Sequence, residues 1–383
     1  MALRGLRVVE MAGLAPAPLA GMILADFGAS VIRVDKTNQP SVVLDTLARN
    51  KRSIAVNLKQ RAGVEIVQDL CTTADVLLEP YRPGVMEKLG LGPQVCLARN
   101  PRLVYARLTG FGQTGSLAHR AGHDINYLAI SGVLSMLGRK ESNPVPPINL
   151  LADFAGGSLV CVVGILMALL ERTFSNKGQV VDSAMVDGVA YLSSFLLNTQ
   201  KIGIWTGDRG SNMLDSGAHF YDTYRTSDGK YMSVGALEPQ FYQALLEGLG
   251  ISDEDLPPQM DYTTWPSMKE RFGALFATKT QAQWTAIFRD VDACVEPVLS
   301  MEEAAAHPHN RQRSIHMHHR EGNFESMPAP KLDRTPASPG SFAQPEVGQH
   351  TVEILKELNC SNKVVEELLA SNTVFQSKSR ANL

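Results

Sequence analysis

The chain has 383 residues, of which 44% are hydrophobic and 20% charged, with a formal net charge of −3. The length allows two domains, and the composition is typical of a globular protein. The charge balance gives no support for nucleic acid as a partner. The five cysteines form no CxxC pair, which argues against a disulfide framework and a zinc site.

The most apolar stretch of the sequence covers residues 158–170. It is shorter than the roughly 20 residues that a membrane-spanning helix needs. We therefore expect a buried helix here and no membrane insertion. The first residues lack an apolar core followed by a cleavage site, so no secretory signal is expected.

The first half of the chain alternates predicted strands and helices. A strand at 6–11, a helix at 19–27 and a strand at 30–34 that ends at Asp35 form a β-α-β unit, with a proline-rich turn at 12–18. Such a crossover predicts parallel pairing. Further elements are predicted at 53–58 (strand), 59–69 (helix), 75–78 (strand) and 103–108 (strand). The sequence therefore predicts an α/β fold with a mainly parallel sheet and flanking helices.

Asp35 stands where a nucleotide-binding dehydrogenase would also place an acid, at the end of the second strand. The first turn, however, contains prolines and no G-x-G-x-x-G sequence. The dinucleotide-binding fingerprint is therefore not satisfied, and nicotinamide binding is not expected.

The pattern changes after residue 200, where a hairpin at 221–234 and several short amphipathic helices indicate a smaller α+β domain. The chain is accordingly divided into a large domain at 1–200, a linker at 201–219, a small domain at 220–320, a return linker at 321–345 and C-terminal helices with a tail at 346–383. Five histidines lie near the end of the small domain: His307, His309, His316, His318 and His319. Their spacing matches no standard metal site, and a solvated connection is favoured.

Two segments carry side chains suited to proton transfer. His123 follows a glycine-rich loop, and Asp153 stands at the predicted start of the long apolar helix. A carboxylate there is commonly a helix cap. The alternative is that His123 and Asp153 face one carbon from opposite sides as two acid/base groups.

The whole chain resembles the family III CoA-transferase superfamily and, within it, the racemases. The resemblance rests on motifs at residues 8–10, 14–16, 24–29, 33–35, 122–127 and 149–153. It implies an isomerase that interconverts (R)- and (S)-2-methylacyl-CoA thioesters through an enolate. It also implies an interlocked homodimer, in which the active site lies between the large domain of one subunit and the small domain of the other.

The resemblance also implies the site residues. His123 and Asp153 match the catalytic pair, and Glu238 matches a carboxylate that pairs with the histidine. The residues that match CoA or substrate contacts are Lys36, Val56, Asn57, Leu58, Lys59, Gly122, His123, Asp124, Ile125, Asn126 and Tyr127. Lys36 replaces an arginine, which keeps the charge but loses the planar fork. No cofactor or metal is expected, because CoA is part of the substrate.

Two other functions remain open. A CoA transferase would use Asp153 as a nucleophile that forms a covalent anhydride. His123 argues against this, because the transferases resembled here typically carry an aromatic residue in its place. A CoA-ester-binding protein without turnover is the second alternative, and the presence of both acid/base groups argues against it.

The last three residues, Ala381, Asn382 and Leu383, keep the small first residue and the terminal leucine of the peroxisomal Ser-Lys-Leu signal. We expect them to bind the peroxisomal import receptor. Because the racemases resembled here act in peroxisomes and mitochondria, we expect both locations for this chain.

Overall fold

The computed structural model describes residues 1–37, 46–252, 256–318, 323–340 and 344–377. The chain forms two compact units. The first comprises Met1–Ser131, Ile148–Leu192 and Ser326–Leu383, and the second comprises Gly132–Pro147 and Ser193–Glu325. The second unit thus includes residues 132–147, which the sequence-based division groups with the large domain. That division stays a prediction about independently folding domains.

A seven-stranded sheet forms the centre of the first unit. Its strands are β1 (Arg7–Met11), β2 (Ser30–Asp35), β3 (Lys51–Val56), β4 (Val76–Glu79), β5 (Val104–Thr109), β6 (Val180–Ala184) and β12 (Val374–Phe375). They lie in the order β12-β3-β2-β1-β4-β5-β6. All neighbouring pairs are parallel except β12 with β3. The predicted α/β class with a mainly parallel sheet is confirmed.

Helices cover both faces of this sheet, and β4 and β5 are buried at every residue. The helices of the unit are α1 (Pro16–Asp26), α2 (Arg61–Thr73), α3 (Val85–Lys88), α4 (Pro93–Arg99), α5 (Asp124–Ile130), α6 (Val160–Ser175), α7 (Met185–Leu192), α14 (Thr351–Glu357) and α15 (Asn362–Ala370). Strands buried on both faces read as continuous apolar runs, which is why the sequence pattern identified them.

Helix α1 begins earlier than the sequence predicts. It starts at Pro16, whereas residues 12–18 were expected to form a turn. The first turn of a helix has no intrahelical partner for its N–H groups, so Pro16 and Pro18 remove no helical hydrogen bond there. The prolines therefore open the helix.

The long apolar segment is longer and less buried than predicted. A π-helical segment, Leu150–Leu159, runs directly into α6, and the combined helix has 26 residues. It is long and apolar enough to cross a membrane, but the core helices of soluble proteins can have the same length and composition. Of its most apolar 18-residue window, 39% is buried. The helix is thus buried along one face, and the expectation of a buried helix is met only in part.

The exposed side of α6 is apolar. Val163, Met167, Leu170 and Phe174 recur at helical spacing and are 48%, 65%, 62% and 83% exposed. We call these four residues the α6 stripe. An apolar surface of this kind on a helix is typical of an interaction surface.

The second unit contains an antiparallel sheet of β7 (Tyr221–Arg225), β8 (Tyr231–Gly235) and β9 (Val295–Pro297), in that order. The predicted hairpin is confirmed. Its remaining elements are a 3-10 helix (Val133–Met136), α8 (Ser194–Lys201), α9 (Pro239–Leu249), α10 (Trp265–Phe276), α11 (Gln281–Phe288), α12 (Met301–Ala306), α13 (Pro308–Gln312) and β10 (His316–His318), with β11 (Phe324–Ser326) at its boundary. The core is aromatic and includes Phe220, Phe272 and Trp284.

Four of the five histidines of this segment lie within the described residues. His307 precedes α13, and His316 and His318 lie on β10 with their rings against Phe324. His319 lies outside the described residues. Within the described part of the chain, no group of three or more His, Cys, Asp or Glu side chains could hold a metal ion.

Candidate active site

A cavity of about 370 Å³ opens at one edge of the large sheet. Strand β1 lies between β2 and β4, so successive strands leave it in opposite directions. At such a switch point, the loops after neighbouring strands diverge and leave a crevice. The cavity is lined by residues that follow β1 (Gly13, Leu14), β4 (Pro80, Tyr81, Arg82) and β5 (Gly110, Phe111), and by His123 and Asp153.

His123 is the residue that immediately precedes α5. Its backbone is extended, and its N–H donates to the Asn126 side chain at 3.1 Å, which closes the first turn of the helix. The residue is exposed and its side chain lines the cavity. An imidazole held by backbone capping, with its ring open to the cavity, is well placed for proton transfer.

Tyr127 anchors the segment that presents His123. Its hydroxyl donates to the Gly122 carbonyl at 2.5 Å, and its ring meets Phe111 edge-on with centroids 4.9 Å apart. Burial raises the pKa of Tyr127 to about 12, and the nearby Asp153 carboxylate adds to the shift. Tyr127 therefore stays protonated and serves as a hydrogen-bond donor.

Asp153 lies in the first turn of the π-helical segment, as expected from the sequence, but it does not cap that segment. The Asp124 carboxylate does so: its Oδ2 accepts the N–H groups of Ala152 at 2.7 Å and of Asp153 at 2.8 Å. The Asp153 side chain is left facing the cavity, with one long contact of 3.5 Å from Asn149. The capping interpretation of Asp153 is thus wrong.

The surroundings favour proton uptake by Asp153. Partial burial raises the pKa of its carboxyl, and the negative charge of Asp124 raises it further. The Asn149 hydrogen bond and the nearby His123 imidazole act in the opposite direction and lower that pKa. A carboxyl with a raised pKa exchanges protons more readily near neutral pH than an exposed aspartate does.

The remaining residues of 122–127 divide between the cavity and the interior. Gly122 and Tyr127 line the cavity beside His123. Ile125 and Asn126 are exposed, whereas Asp124 is buried with its carboxylate directed to the Asp153 helix. Asp124 thus belongs to the scaffold of the site as well as to the segment that the resemblance implies.

The other predicted CoA contacts lie along the same sheet edge. Lys36 follows β2, and Val56 ends β3, the neighbouring parallel strand. Asn57 and Leu58 are half-buried, whereas Lys36 and Lys59 are exposed. Carboxyl ends of parallel strands meet at one edge, so both lysines lie on the edge that carries the cavity.

Asp35 is not available to a ligand. It is buried, and its Oδ2 accepts from Arg33 Nε at 2.8 Å and from the Ser53 hydroxyl at 2.5 Å. The acid at the end of β2 is therefore a structural partner of two neighbours, in agreement with the missing dinucleotide fingerprint.

Glu238 belongs to the second unit. It is exposed and stands immediately before α9, whose first turn carries Pro239. Burial and the charge of Asp292 raise the pKa of the Cys294 thiol, and the Glu238 carboxylate adds to that shift. Its pairing with the histidine stays a prediction.

Four polar residues that line the cavity were missed by the sequence analysis. They are Tyr81, Arg82, Thr109 and Arg120. Arg82 and Arg120 are exposed cations, and Thr109 Oγ1 is buried without a partner among the described residues. The positions of Arg82 and Thr109 at the ends of β4 and β5 could have revealed them, because strand ends at a switch point form the crevice.

Comparison with known proteins identifies the family. The sequence profile of CoA-transferase family III matches residues 3–351. The chain therefore belongs to this family.

Two curated relatives match the chain over its full length. Alpha-methylacyl-CoA racemase from Mus musculus is 55% identical over 383 residues, and the protein of the same name from Homo sapiens is 53% identical, with 100% of each chain covered in both cases. In fold, the chain resembles a CAIB/BAIF family protein from Brucella suis, with a TM-score of 0.79, 24% identity and coverage of 93% of this chain and 99% of the other.

Proposed function

We propose that this chain is an isomerase that interconverts (R)- and (S)-2-methylacyl-CoA thioesters by 1,1-proton transfer. The observation that carries the proposal is the presence of two unlike acid/base groups, His123 and Asp153, on the wall of one cavity. The full-length identity of 55% and 53% to two alpha-methylacyl-CoA racemases supports the same reaction. Such a reaction serves the degradation of branched fatty acids and bile-acid intermediates.

The reaction requires one group to remove the proton α to the thioester carbonyl and the other to return a proton on the opposite face. One of the two must be protonated while the other is not, and an imidazole paired with a carboxyl whose pKa is raised by burial suits this exchange of roles. Each positioned group of this kind contributes roughly 10²–10⁴-fold to the rate. Reversal of the substrate stereochemistry exchanges the roles of His123 and Asp153.

The enolate oxygen also needs fixed donors. The N–H groups of Ala152 and Asp153, at the start of the Asp153 helix, are occupied by Asp124 and are not free for this role. The guanidinium groups of Arg82 and Arg120 and the hydroxyl of Thr109 line the cavity and are the side-chain donors of this unit that we propose for the enolate or the CoA phosphates.

Isotope exchange at the α-carbon tests this function against the alternatives. In D₂O, each pure stereoisomer of a 2-methylacyl-CoA should lose its α-proton and appear as the other stereoisomer. A CoA transferase would instead move CoA to a carboxylic acid through an anhydride on Asp153, with no exchange at the α-carbon. A non-catalytic binding protein would do neither. Transfer without exchange contradicts the proposal.

We further propose that the active protein is a homodimer of the interlocked type. The α6 stripe leaves four large apolar side chains exposed on a single chain, and a second copy would remove them from water. In this arrangement Glu238, which lies in the second unit, would be supplied to the active site by the partner. The family resemblance gives the same expectation.

The dimer is tested by sedimentation equilibrium of the wild type and of Met167→Glu/Phe174→Glu. The wild type should sediment as twice the chain mass of 41.7 kDa. The double variant should be monomeric or fail to assemble, because two buried carboxylates would face an apolar partner. Met260→Glu, at an exposed methionine of the second unit, serves as the control. A monomeric wild type with full activity contradicts the proposal.

We also propose residence in peroxisomes and mitochondria, with Ala381, Asn382 and Leu383 as the peroxisomal address. These three residues lie outside those that the structure describes. Support comes from their likeness to Ser-Lys-Leu and from the basic Lys378 and Arg380 just before them. Imaging of a variant that lacks residues 381–383 is the test. An unchanged peroxisomal signal, in cells without the full-length protein, contradicts the assignment.

A further inference from the structure

Asp124 joins the two segments that carry the proposed bases. It follows His123 directly in the chain, and it is 3% exposed. Its Oδ2 holds the N–H groups of Ala152 and Asp153 at 2.7 and 2.8 Å. Its Oδ1 is buried and has no partner among the described residues. The carboxylate is therefore committed to the start of the Asp153 helix.

This helix start has no cap of its own. The first N–H groups of a helix need an acceptor, which is usually the side chain of the preceding residue. Here that residue is Asn149, which provides no capping hydrogen bond and instead points towards the Asp153 carboxylate. Asp124, 28 and 29 positions earlier in the chain, provides the acceptor for two of those groups.

We propose that Asp124 is a positioning residue that fixes the spacing between the two bases by tying the first turn of the Asp153 helix to the residue after His123. The inference rests on the proposed function for its catalytic consequence. The acid and the base must stand on opposite faces of one carbon, and a displacement of about 1 Å costs about 10²-fold in rate. A single side chain that contacts both segments sets that distance directly.

The same carboxylate also acts electrostatically on Asp153. The charged or titratable groups that influence the Asp153 carboxyl are Asp124 and His123, while Tyr127 lies near enough to be influenced by it. The charge of Asp124 raises the pKa of Asp153, and that of His123 lowers it. Removal of the Asp124 charge should therefore lower the pKa at which Asp153 gains its proton.

Two substitutions separate the effect of the hydrogen bonds that Asp124 accepts, which we call the tie, from the effect of its charge. Asp124→Asn keeps an oxygen acceptor in place and removes the charge. We expect it to retain most of kcat and to shift the acid limb of the kcat–pH profile to lower pH. Asp124→Ala removes the acceptor as well. We expect it to lower kcat about 10²-fold for both stereoisomers, with a much smaller change in KM.

A readout without substrate tests the tie by itself. Hydrogen–deuterium exchange of the peptide that contains residues 150–159 should be slow in the wild type and in Asp124→Asn, and fast in Asp124→Ala. Ser361→Ala removes a different helix cap, at α15 of the same unit, and is the matched control for a general loss of stability. It should leave both kcat and the exchange of 150–159 unchanged.

The outcomes are distinct. Wild-type kcat and slow exchange in Asp124→Ala would overturn the tie. If Asp124→Ala does not fold, Asp124→Glu decides, because it keeps the charge and an acceptor but lengthens the side chain by one methylene group: wild-type kcat with slow exchange of 150–159 overturns the assignment, and a lowered kcat with little change in KM supports it. A wild type without any α-proton exchange would defeat the proposed function, while protection at 150–159 would still support or refute the tie.

Discussion

The ring of Tyr127 fills the space that a side chain at residue 110 would need. A Cβ atom on Gly110 would lie 2.1 Å from Tyr127 Cε1, and one on Gly122 would lie 2.7 Å from the same atom. Glycine at both positions is therefore what lets the tyrosine pack between the β5 loop and the segment of His123. The position of the imidazole thus depends on residues that have no side chains.

Gly110→Ala should lower both stability and activity. The added methyl group must displace Tyr127, and overpacking of this kind costs about 1–3 kcal/mol. We expect a lower unfolding midpoint and at least about a 10-fold loss of kcat/KM, since His123 moves with the tyrosine. The measurements are thermal unfolding and racemisation kinetics.

The matched changes for this test are Gly110→Ala/Tyr127→Leu and Gly273→Ala. The first should recover stability without recovering activity, because the clash is relieved but the anchor is lost. Gly273 lies in α10 with open space around its Cα, so alanine there should be neutral or slightly stabilising. Equal stability of Gly110→Ala and the wild type would refute the packing argument.

Racemisation should require both His123 and Asp153. His123→Ala should abolish inversion, because one face of the α-carbon then has no proton donor or acceptor. One stereoisomer should still exchange its α-proton slowly with D₂O through Asp153. Asp153→Asn should show slow exchange of the opposite stereoisomer. Two-way racemisation at the wild-type rate by either variant would contradict a mechanism with two bases.

His219 should make the protein less stable in acid. Burial lowers its pKa from 6.5 to about 4, and its Nε2 lies 2.8 Å from the Tyr242 hydroxyl. In the unfolded state the His219 imidazole therefore binds a proton below pH 6.5, whereas in the folded state it binds one only below about pH 4. The free energy of unfolding is therefore highest above pH 6.5, and it falls by on the order of 3 kcal/mol as the pH drops towards 4.

His219→Gln tests this dependence through unfolding midpoints at several pH values. The variant should lose stability at pH 7 and show a shallower decline towards pH 4. His309→Gln, at an exposed histidine of the same unit, should follow the wild-type curve. Parallel curves for His219→Gln and the wild type would show that His219 is not responsible.

The buried ion pair of Lys51 and Glu10 should be sensitive to the loss of either partner. Lys51 Nζ lies 2.7 Å from Glu10 Oε2 and donates to the Pro18 carbonyl at 2.8 Å, with both side chains fully buried. Lys51→Met would leave an uncompensated carboxylate and cost about 3–5 kcal/mol. Chemical denaturation measures the loss.

Lys51→Met/Glu10→Gln should recover much of that stability, because the stranded charge is removed. As a control, Arg61→Met breaks an ion pair at the surface, in which the Arg61 side chain is 92% exposed and that of Glu65 is 49% exposed. It should lower the free energy of unfolding by less than about 0.5 kcal/mol. A double variant as unstable as Lys51→Met would exclude charge burial as the cause.

Activity should be independent of metal, flavin and nicotinamide. Proton transfer through an enolate needs positioned acids and bases, which the chain itself supplies. Protein treated with chelator and desalted should retain its full rate of racemisation. Loss of activity that one defined metal restores would refute this expectation.

The large sheet could be predicted from the sequence because its strands are buried on both faces. Val76–Glu79 and Val104–Thr109 are apolar enough to be recognised without their neighbours. The positions of His123 and Asp153 before and within helices were also predictable from local signals. The alternative interpretation of Asp153 as a helix cap failed because the residue that caps the helix, Asp124, is remote in sequence.

The features that escaped prediction depend on tertiary contacts. Lys51 reads as an ordinary surface residue, and only the fold shows that it neutralises Glu10. The two residues of β12 are too few to give a strand signal, and β3 alone defines their pairing. The exposure of the α6 stripe could not be predicted either, because the sequence shows that these residues are apolar but not which of them pack against other elements.

The antiparallel pairing of β12 with β3 has a consequence for the order of synthesis. The Thr373 hydroxyl, beside β12, donates a hydrogen bond to the Gln60 side chain, 313 positions earlier in the chain. Strand β3 therefore has no partner on its outer edge until the second unit has been synthesised. At 5–20 residues per second, this interval lasts roughly 15–60 s. During that time β3 presents an open edge to other nascent chains, a template for unwanted strand addition.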